Sequence, residues 1–453
     1  MKKNDIVPLE ITGMTNEGNG VGRYEGMAVF VPLTAVGDKI DCRIVKVNKS
    51  YCFGIVDSIV TPSQHRCEPG CEVFSKCGGC AFRHFTYEQE CEIKLDFVRA
   101  SFERIGKLSL LPDSILGAES ISHYRNKAQY PVTMQDGRAV CGFYSRRSHR
   151  VVPFTDCDLQ PEVFSEITQS VLDYVNDRTL PAYDEISGRG VLRHIYLRRG
   201  ENTGEIMLCL VITSKSRAGD FKDLCEPLSE RFPDIKSIVV NINPKQTNAI
   251  LGKEYMTLFG SDTIDDIMCD RRITLSPASF YQVNTVQAQR LYKLAAEYAD
   301  LRAGQILLDL YCGTGTIGLS VADKDTRLIG ADLVPSSIEN ARRNALQNGF
   351  ENAEFVCADA AKASEMFFER GERPGVIIAD PARKGCDRKT LEYMAKMQPE
   401  RIVMISCDHS TAARDIAILR DMGFVLTKAQ AVDLFPRTTH VECISLLENS
   451  HIQ

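Results

Sequence analysis

No uninterrupted apolar stretch of the 453-residue sequence approaches the roughly 20 residues that a helix needs to cross a bilayer. The opening Met1-Lys2-Lys3-Asn4-Asp5 is not followed by the apolar core of a secretion signal. Both absences point to a cytoplasmic protein without membrane contact, and nothing in the sequence calls for an obligatory protein partner. Internal repeats and low-complexity tracts are missing too. Hydrophobic and charged fractions of 44% and 25% are those of an ordinary folded chain, so extended disorder is not expected. An excess of positive charge is also lacking: a net charge of −6 excludes indiscriminate nucleic-acid binding, although an average hides local strips.

Two such strips exist. Phe143-Tyr-Ser-Arg-Arg-Ser-His-Arg150 and Arg193-His-Ile-Tyr-Leu-Arg-Arg199 interleave Arg with Tyr and His, a mixture able to hold phosphates and offer aromatic faces to unstacked bases. Taken alone, a charged strand face is usually just solvated. Cysteine, in contrast, is abundant. Seventeen cysteines in a long chain without an export signal argue for thiols, metal ligation or catalysis rather than a disulfide framework.

The chain is too long for one core, and three regions emerge, making a multidomain protein. Residues 1–60 read as short alternating strands broken by glycine turns, for which a small N-terminal β-barrel is the natural closure. Residues 61–265 form a central α+β region. It starts cysteine-rich, carries a helical pattern from Tyr87 to about Leu108, and then alternates strands with Gly, Pro and Asn turns. The helical segment, about residues 91–115, is expected to pack on the last region. Residues 266–453 switch to strand, helix, strand, helix, the mark of a C-terminal α/β Rossmann-like domain.

That last region carries the most chemistry. Strand Gln305-Ile-Leu-Leu-Asp-Leu310 runs into the tight turn Tyr311-Cys-Gly-Thr-Gly-Thr316 and then a helix, where glycines let the backbone approach a carboxylate or anion at the helix N-terminus. The next strand ends in Asp332, an acid placed to accept ribose hydroxyls, and its helix opens with a capping-box spacing from Ser336 to Glu339. An adenosine cofactor is implied. Gly313-x-Gly315-x-x-Gly318 formally fits the dinucleotide fingerprint, so NAD and S-adenosylmethionine compete for the same strand-turn-helix. Downstream, one strand ends in Asp380-Pro-Ala-Arg-Lys-Gly385 and another, Arg401-Ile-Val-Met-Ile-Ser406, ends in Cys407, both at the sheet's carboxyl edge beside the cofactor. A dehydrogenase leaves both unexplained. An arbitrary cysteine is a small buried hydrophobe, but Cys407 has the address of a nucleophile.

Five motifs in order carry a resemblance: Ser279-Phe-Tyr-Gln-Val-Asn284, Asp309-Leu-Tyr-Cys-Gly-Thr-Gly315, Asp380-Pro-Ala-Arg-Lys-Gly385, Ser406-Cys407 with Ala413-Arg-Asp415, and Phe435-Pro-Arg-Thr-Thr-His-Val-Glu442. Together they resemble the S-adenosylmethionine-dependent RNA uracil-5-methyltransferases. Residues 1–60 are similar to the TRAM (OB-like) barrel of the ribosomal-RNA members. The tRNA-directed members lack that barrel and the cysteine cluster, so the resemblance points to the 23S rRNA branch and to 23S rRNA as partner. It implies Cys407 as the thiolate that adds to C6 of uracil, and Glu442 as the base that removes the C5 proton. It further implies Asp380, Gln282, Tyr311, Gly313 and Asp332 as contacts of S-adenosylmethionine. Two other classes stand beside this one: a nicotinamide-dependent iron-sulfur oxidoreductase, and a non-catalytic RNA-binding ribosome-assembly factor.

Two positions depart from the family pattern. Ala382 stands where proline is common, and Asp408-His409 replaces Asn-Pro after the nucleophile. Asp408 would disfavour the neighbouring thiolate unless its charge is directed elsewhere.

The second chemical signal is Cys67-x3-Cys71-x5-Cys77-Gly-Gly-Cys80. From spacing alone zinc is at least as well suited as iron-sulfur. The resemblance implies a [4Fe-4S] cluster on Cys71, Cys77, Cys80 and Cys157, with Cys67 spare, stapling a central iron-sulfur, RNA-binding domain rather than moving electrons.

Overall fold

A computed structural model describes residues 1–154 and 156–451. The described residues build three large sheets and one separate hairpin. Strands Ile6–Glu10, Gly13–Met14, Asn19–Tyr24, Met27–Pro32, Lys39–Val47 and Tyr51–Thr61 form the first sheet, which curls until its first and third strands meet. Their period-two pattern sends Val7, Leu9, Val29, Val31, Ile40, Cys42 and Ile44 inward to one small core. Only glycine fits at residue 22, where a Cβ would stand 2.6 Å from Leu9 Cγ and from the Glu10 carbonyl. Arg66 fixes the exit from the barrel, donating to both oxygens of the buried Asp38 carboxylate.

After a cysteine-rich stretch with little regular structure, the central sheet takes the order Val151–Pro153, Arg138–Tyr144, Lys127–Gln135, Leu192–Arg199, Ile206–Ile212, Ile235–Ile242, Glu254–Gly260. Ile206–Ile212 and Ile235–Ile242 pair parallel; the other pairs are antiparallel. Leu192–Arg199 is therefore an interior strand, buried along nearly its whole length. The basic strip expected at residues 193–199 is corrected by this position. Arg193 Nη1 donates to the Asn243 and Lys245 carbonyls, and Arg198 reaches those of Ser276 and Ser279. These arginines satisfy backbone oxygens inside the protein instead of meeting RNA.

The third sheet runs Ala353–Cys357, Arg327–Asp332, Ile306–Leu310, Val376–Ala379, Arg401–Ser406, Glu442–Asn449, Phe424–Val432, Ile115–Leu116. Its first five strands are parallel. The chain winds outward from Ile306–Leu310 in one direction and returns to Val376–Ala379 on its other side, so a topological switch point opens between these strands. Ile115–Leu116 extends the sheet from a segment that precedes the central domain. Helix Tyr87–Arg104, capped by the Thr86 hydroxyl, packs on helix His409–Asp421, where Ser101 Oγ meets His409 Nδ1 at 2.7 Å. Residues 87–116 thus belong spatially to the C-terminal domain. The capping box at Ser336 does not form: Pro335, with its φ preset for helix, occupies the first helical position and carries Ser336 inside the first turn.

Candidate active site

The glycine turn follows strand Ile306–Leu310 with three residues in the left-handed region, Tyr311 (φ 66°), Gly313 (φ 55°) and Gly315 (φ 79°), before helix Thr316–Val321 begins. Among the described residues, nothing beyond its two chain neighbours lies within 4 Å of where a Cβ on Gly313 would be, which leaves its backbone approachable. Asp332, the last residue of its strand, accepts from Gly313 N (3.1 Å) and Val334 N (2.8 Å). A carboxylate offers about four lone-pair directions, so two remain for a ribose diol. Tyr311 turns its ring toward Cys386 and Thr390, and burial pushes its phenol well above the ordinary value. Gln282 is buried against Tyr292, and its carbonyl accepts from Asn126 Nδ2 at 2.7 Å.

Strand Arg401–Ser406 pairs antiparallel with Glu442–Asn449, with Ser406 opposite Cys443. The ladder stops there: Cys407 directly follows one strand and Glu442 opens the other, and the Glu442 carboxylate acts on the Cys407 thiol. Asp380 joins them from the end of the neighbouring strand Val376–Ala379. Burial, then the Glu442 and Asp380 carboxylates, pushes the Cys407 thiol up to about 11, with Arg383 opposing. Burial and Asp380 hold Glu442 well above the usual carboxylate range, and burial lifts Asp380 to about 7. The feared carboxylate of Asp408 is directed elsewhere: it caps helix His409–Asp421, accepting from Ser410 N (3.0 Å) and Thr411 N (2.9 Å).

Two residues gain significance that sequence reading did not give them. Asp309 is fully buried in its strand; its Oδ2 accepts from Gly318 N at 2.9 Å, while Oδ1 has no partner among the described residues. Burial first, then Asp380 and Asp332, raise it to about 8, against the Gly318 bond. A lone acid inside Ile-Leu-Leu-Asp-Leu was the available signal. Arg383 is the cation that lowers both Cys407 and Glu442. Asp332, Asp380 and Glu442 thus gather at one edge of the sheet, with Asp309 buried in the strand that lies between the first two.

Cys71, Cys77, Cys80 and Cys157 line one cavity of about 710 Å³ together with Arg83, Arg125, Lys127 and Arg146. Cys67 lies outside that lining, exposed. Among the described residues no three Cys, His, Asp or Glu side chains converge closely enough to hold a metal ion, so the expected iron-sulfur site is not shown. Cys77 bridges to Ser145, and Gly78 N donates to the Tyr144 carbonyl at 2.9 Å, so the first basic strip is built against this loop. None of the seventeen cysteines is in a disulfide.

Residues 243–450 match the tRNA (Uracil-5-)-methyltransferase family and residues 2–56 the TRAM domain. The chain is 42% identical over 449 residues to an uncharacterized RNA methyltransferase of Oceanobacillus iheyensis, covering 99% of this chain and 97% of that one. It is 38% identical over 447 residues to another from Clostridium tetani, with 99% and 97% covered. Among solved structures it resembles the tRNA (uracil-54, C5)-methyltransferase of Pyrococcus abyssi in complex with S-adenosyl-L-homocysteine. The TM-score is 0.78 at 25% identity, over 97% of this chain and 99% of the other.

Proposed function

The chain belongs to the S-adenosylmethionine-dependent RNA uracil-5-methyltransferase family, and from that premise we propose that it methylates C5 of a uridine in 23S rRNA through a covalent adduct on Cys407. The observation that carries the mechanism is the influence of the Glu442 and Asp380 carboxylates on the Cys407 thiol where the ends of three neighbouring strands come together. C5 of uracil is a poor nucleophile, so Cys407 Sγ adds to C6 and the ring becomes an enolate whose electron pair resides at C5. S-adenosylmethionine, which Gly313, Asp332, Gln282, Tyr311 and Asp380 would hold, would supply the methyl group: the C5 electron pair would form the new C–C bond as the S–CH3 bond breaks and S-adenosylhomocysteine leaves. C5 then carries both methyl and proton. Glu442 removes the proton, the C5–C6 double bond reforms and the thiolate leaves. A raised affinity for protons makes Glu442 a stronger base once it is ionised. Because C5 and C6 are hidden in a stacked helix, the uridine is taken from a loop or extruded.

The four thiols around the basic cavity support a [4Fe-4S] cluster on Cys71, Cys77, Cys80 and Cys157 with a structural role. For the substrate, a tRNA uridine is a second reading with its own support. The Pyrococcus abyssi enzyme named for tRNA matches 97% of this chain, barrel included, so a barrel is not confined to rRNA enzymes as the sequence reading held. Mass mapping of 23S rRNA and of tRNA from cells with and without the protein decides between them. The proposal expects a methyl group to vanish from a 23S uridine alone; loss confined to tRNA overturns the rRNA assignment.

A further inference from the structure

The connection 433–441 between strands Phe424–Val432 and Glu442–Asn449 ends on the proposed base, and its polar groups are held by residues more than 300 positions earlier in the chain. Asp433 N donates to the Leu116 carbonyl (3.0 Å), and the Asp433 carboxylate accepts from Lys94 Nζ (2.7 Å) and Tyr87 OH (2.8 Å). Lys94 Nζ also donates to Glu90 Oε1 (2.7 Å) and to the Phe435 carbonyl (3.1 Å). Tyr124 OH donates to the Pro436 carbonyl at 2.9 Å. Arg437 sits at φ 69°. Its amide donates to Glu90 Oε1 (2.6 Å), its guanidinium to the Phe85 carbonyl (3.1 Å) and Glu90 Oε2 (3.4 Å), and its carbonyl accepts from Ala81 N (2.8 Å) and Phe82 N (3.1 Å). Ala81 and Phe82 directly follow Cys80.

The side chains of Lys94, Glu90 and Asp433 are 0% exposed, and that of Arg437 is 13% exposed. Two cations and two carboxylates out of water pay heavily in lost hydration, and a well-packed apolar set of similar volume commonly holds such segments as stably. What charges add is direction: each bond fixes an atom of the connection at one place. A backbone held at positive φ by bonds on both its amide and its carbonyl has no freedom to relax.

We infer that Lys94, Glu90 and Arg437 are positioning residues for Glu442, forming a buried latch between the base-bearing strand, helix Tyr87–Arg104 and the cysteine loop. Removal of the C5 proton then depends on the N-terminal segments being docked, although none of the three residues stands among the reacting groups. This inference rests on the proposed role of Glu442 as base.

Single-turnover assays on full-length protein test it, using S-adenosylmethionine and 23S rRNA carrying 5-tritiated uridine. Three quantities are followed: tritium release, the denaturant-resistant enzyme–RNA complex, and S-adenosylmethionine affinity by calorimetry. In Arg437→Met, release is expected to slow about 10- to 100-fold while the covalent complex accumulates and affinity stays within about two-fold, since displacing a catalytic group by a small distance costs rates of that order. Tyr87→Phe removes one hydroxyl from the same latch and is expected to show the same split with smaller amplitude, which keeps a readout if Arg437→Met fails to fold. Release and covalent complex falling in parallel, or release unchanged in both variants, overturns the latch. Glu442→Gln serves as the reference: failure of that variant to accumulate the complex rejects Glu442 as the base itself.

Discussion

The proposed mechanism needs Cys407 as a thiolate, yet burial and the Glu442 and Asp380 carboxylates hold its proton on, up to about 11. A group whose charged form is disfavoured by negative neighbours ionises more readily when one of them is neutralised. Alkylation of Cys407 by iodoacetamide in the ligand-free protein should therefore rise with pH toward a midpoint near 11, and Glu442→Gln should move that midpoint down. A profile unmoved by Glu442→Gln would mean the two side chains do not sense each other. Asp408 contributes little to this balance, because its charge lies on the helix N-terminus. The positions of Cys407 after one strand and Glu442 at the start of another were legible in the sequence, because each ends or begins an apolar run. The burial and raised proton affinity of Asp309 were not, because they arise from the strands packed on either side of it and from the Asp380 and Asp332 carboxylates that strand pairing brings near, against the Gly318 bond.

At the scale of elements, the cofactor turn depends on a close fit between helix Thr316–Val321 and the strand before it. A Cβ on Gly318 would stand 2.7 Å from Asp309 Oδ2 and 2.9 Å from Leu328 Cδ1. Gly318→Ala is thus expected to cost about 1–3 kcal/mol through overpacking, and to weaken S-adenosylmethionine binding by displacing Asp309. A thermal melt and calorimetry check both, and wild-type values for each would show that the turn has slack. The order of strands and helices after residue 266 could be read from the change of period. That helix Tyr87–Arg104 docks on His409–Asp421 through Phe97 and Ser101, and on the 433–441 connection through a buried Lys94, was only partly visible. A Lys at 94 and an Asp at 433 carry no local sign that they will meet. The strip at 193–199 misled for a related reason: alternation of Arg with apolar residues looks like a solvated face, and only the sheet order makes it an interior strand.

For the whole molecule, barrel, cysteine loop and catalytic sheet are fastened to one another by named bonds. Arg147 pairs with Glu17 of the barrel, Arg146 Nη2 donates to the Cys80 carbonyl at 2.7 Å, and Arg437 is held by Ala81 and Phe82. Protein purified without oxygen should be brown and contain the iron of one [4Fe-4S] cluster per chain. Cys80→Ser and Cys157→Ser should lose that iron, and Cys67→Ser should keep it, since Cys67 lies outside the cavity. A colourless protein with stoichiometric zinc would refute the cluster. The N-terminal barrel and the C-terminal α/β sheet were legible in the sequence from their strand and helix periods; the choice of RNA was not, because those periods report the fold and not the RNA that it meets.

The central claim is that Cys407 is the nucleophile in methylation of uracil C5. Tritium release from 5-tritiated uridine in 23S rRNA, with S-adenosylmethionine and either wild-type or Cys407→Ala protein, tests it most directly. The account predicts methyl-donor-dependent release by the wild type and none above background from Cys407→Ala. Release persisting in Cys407→Ala would contradict it.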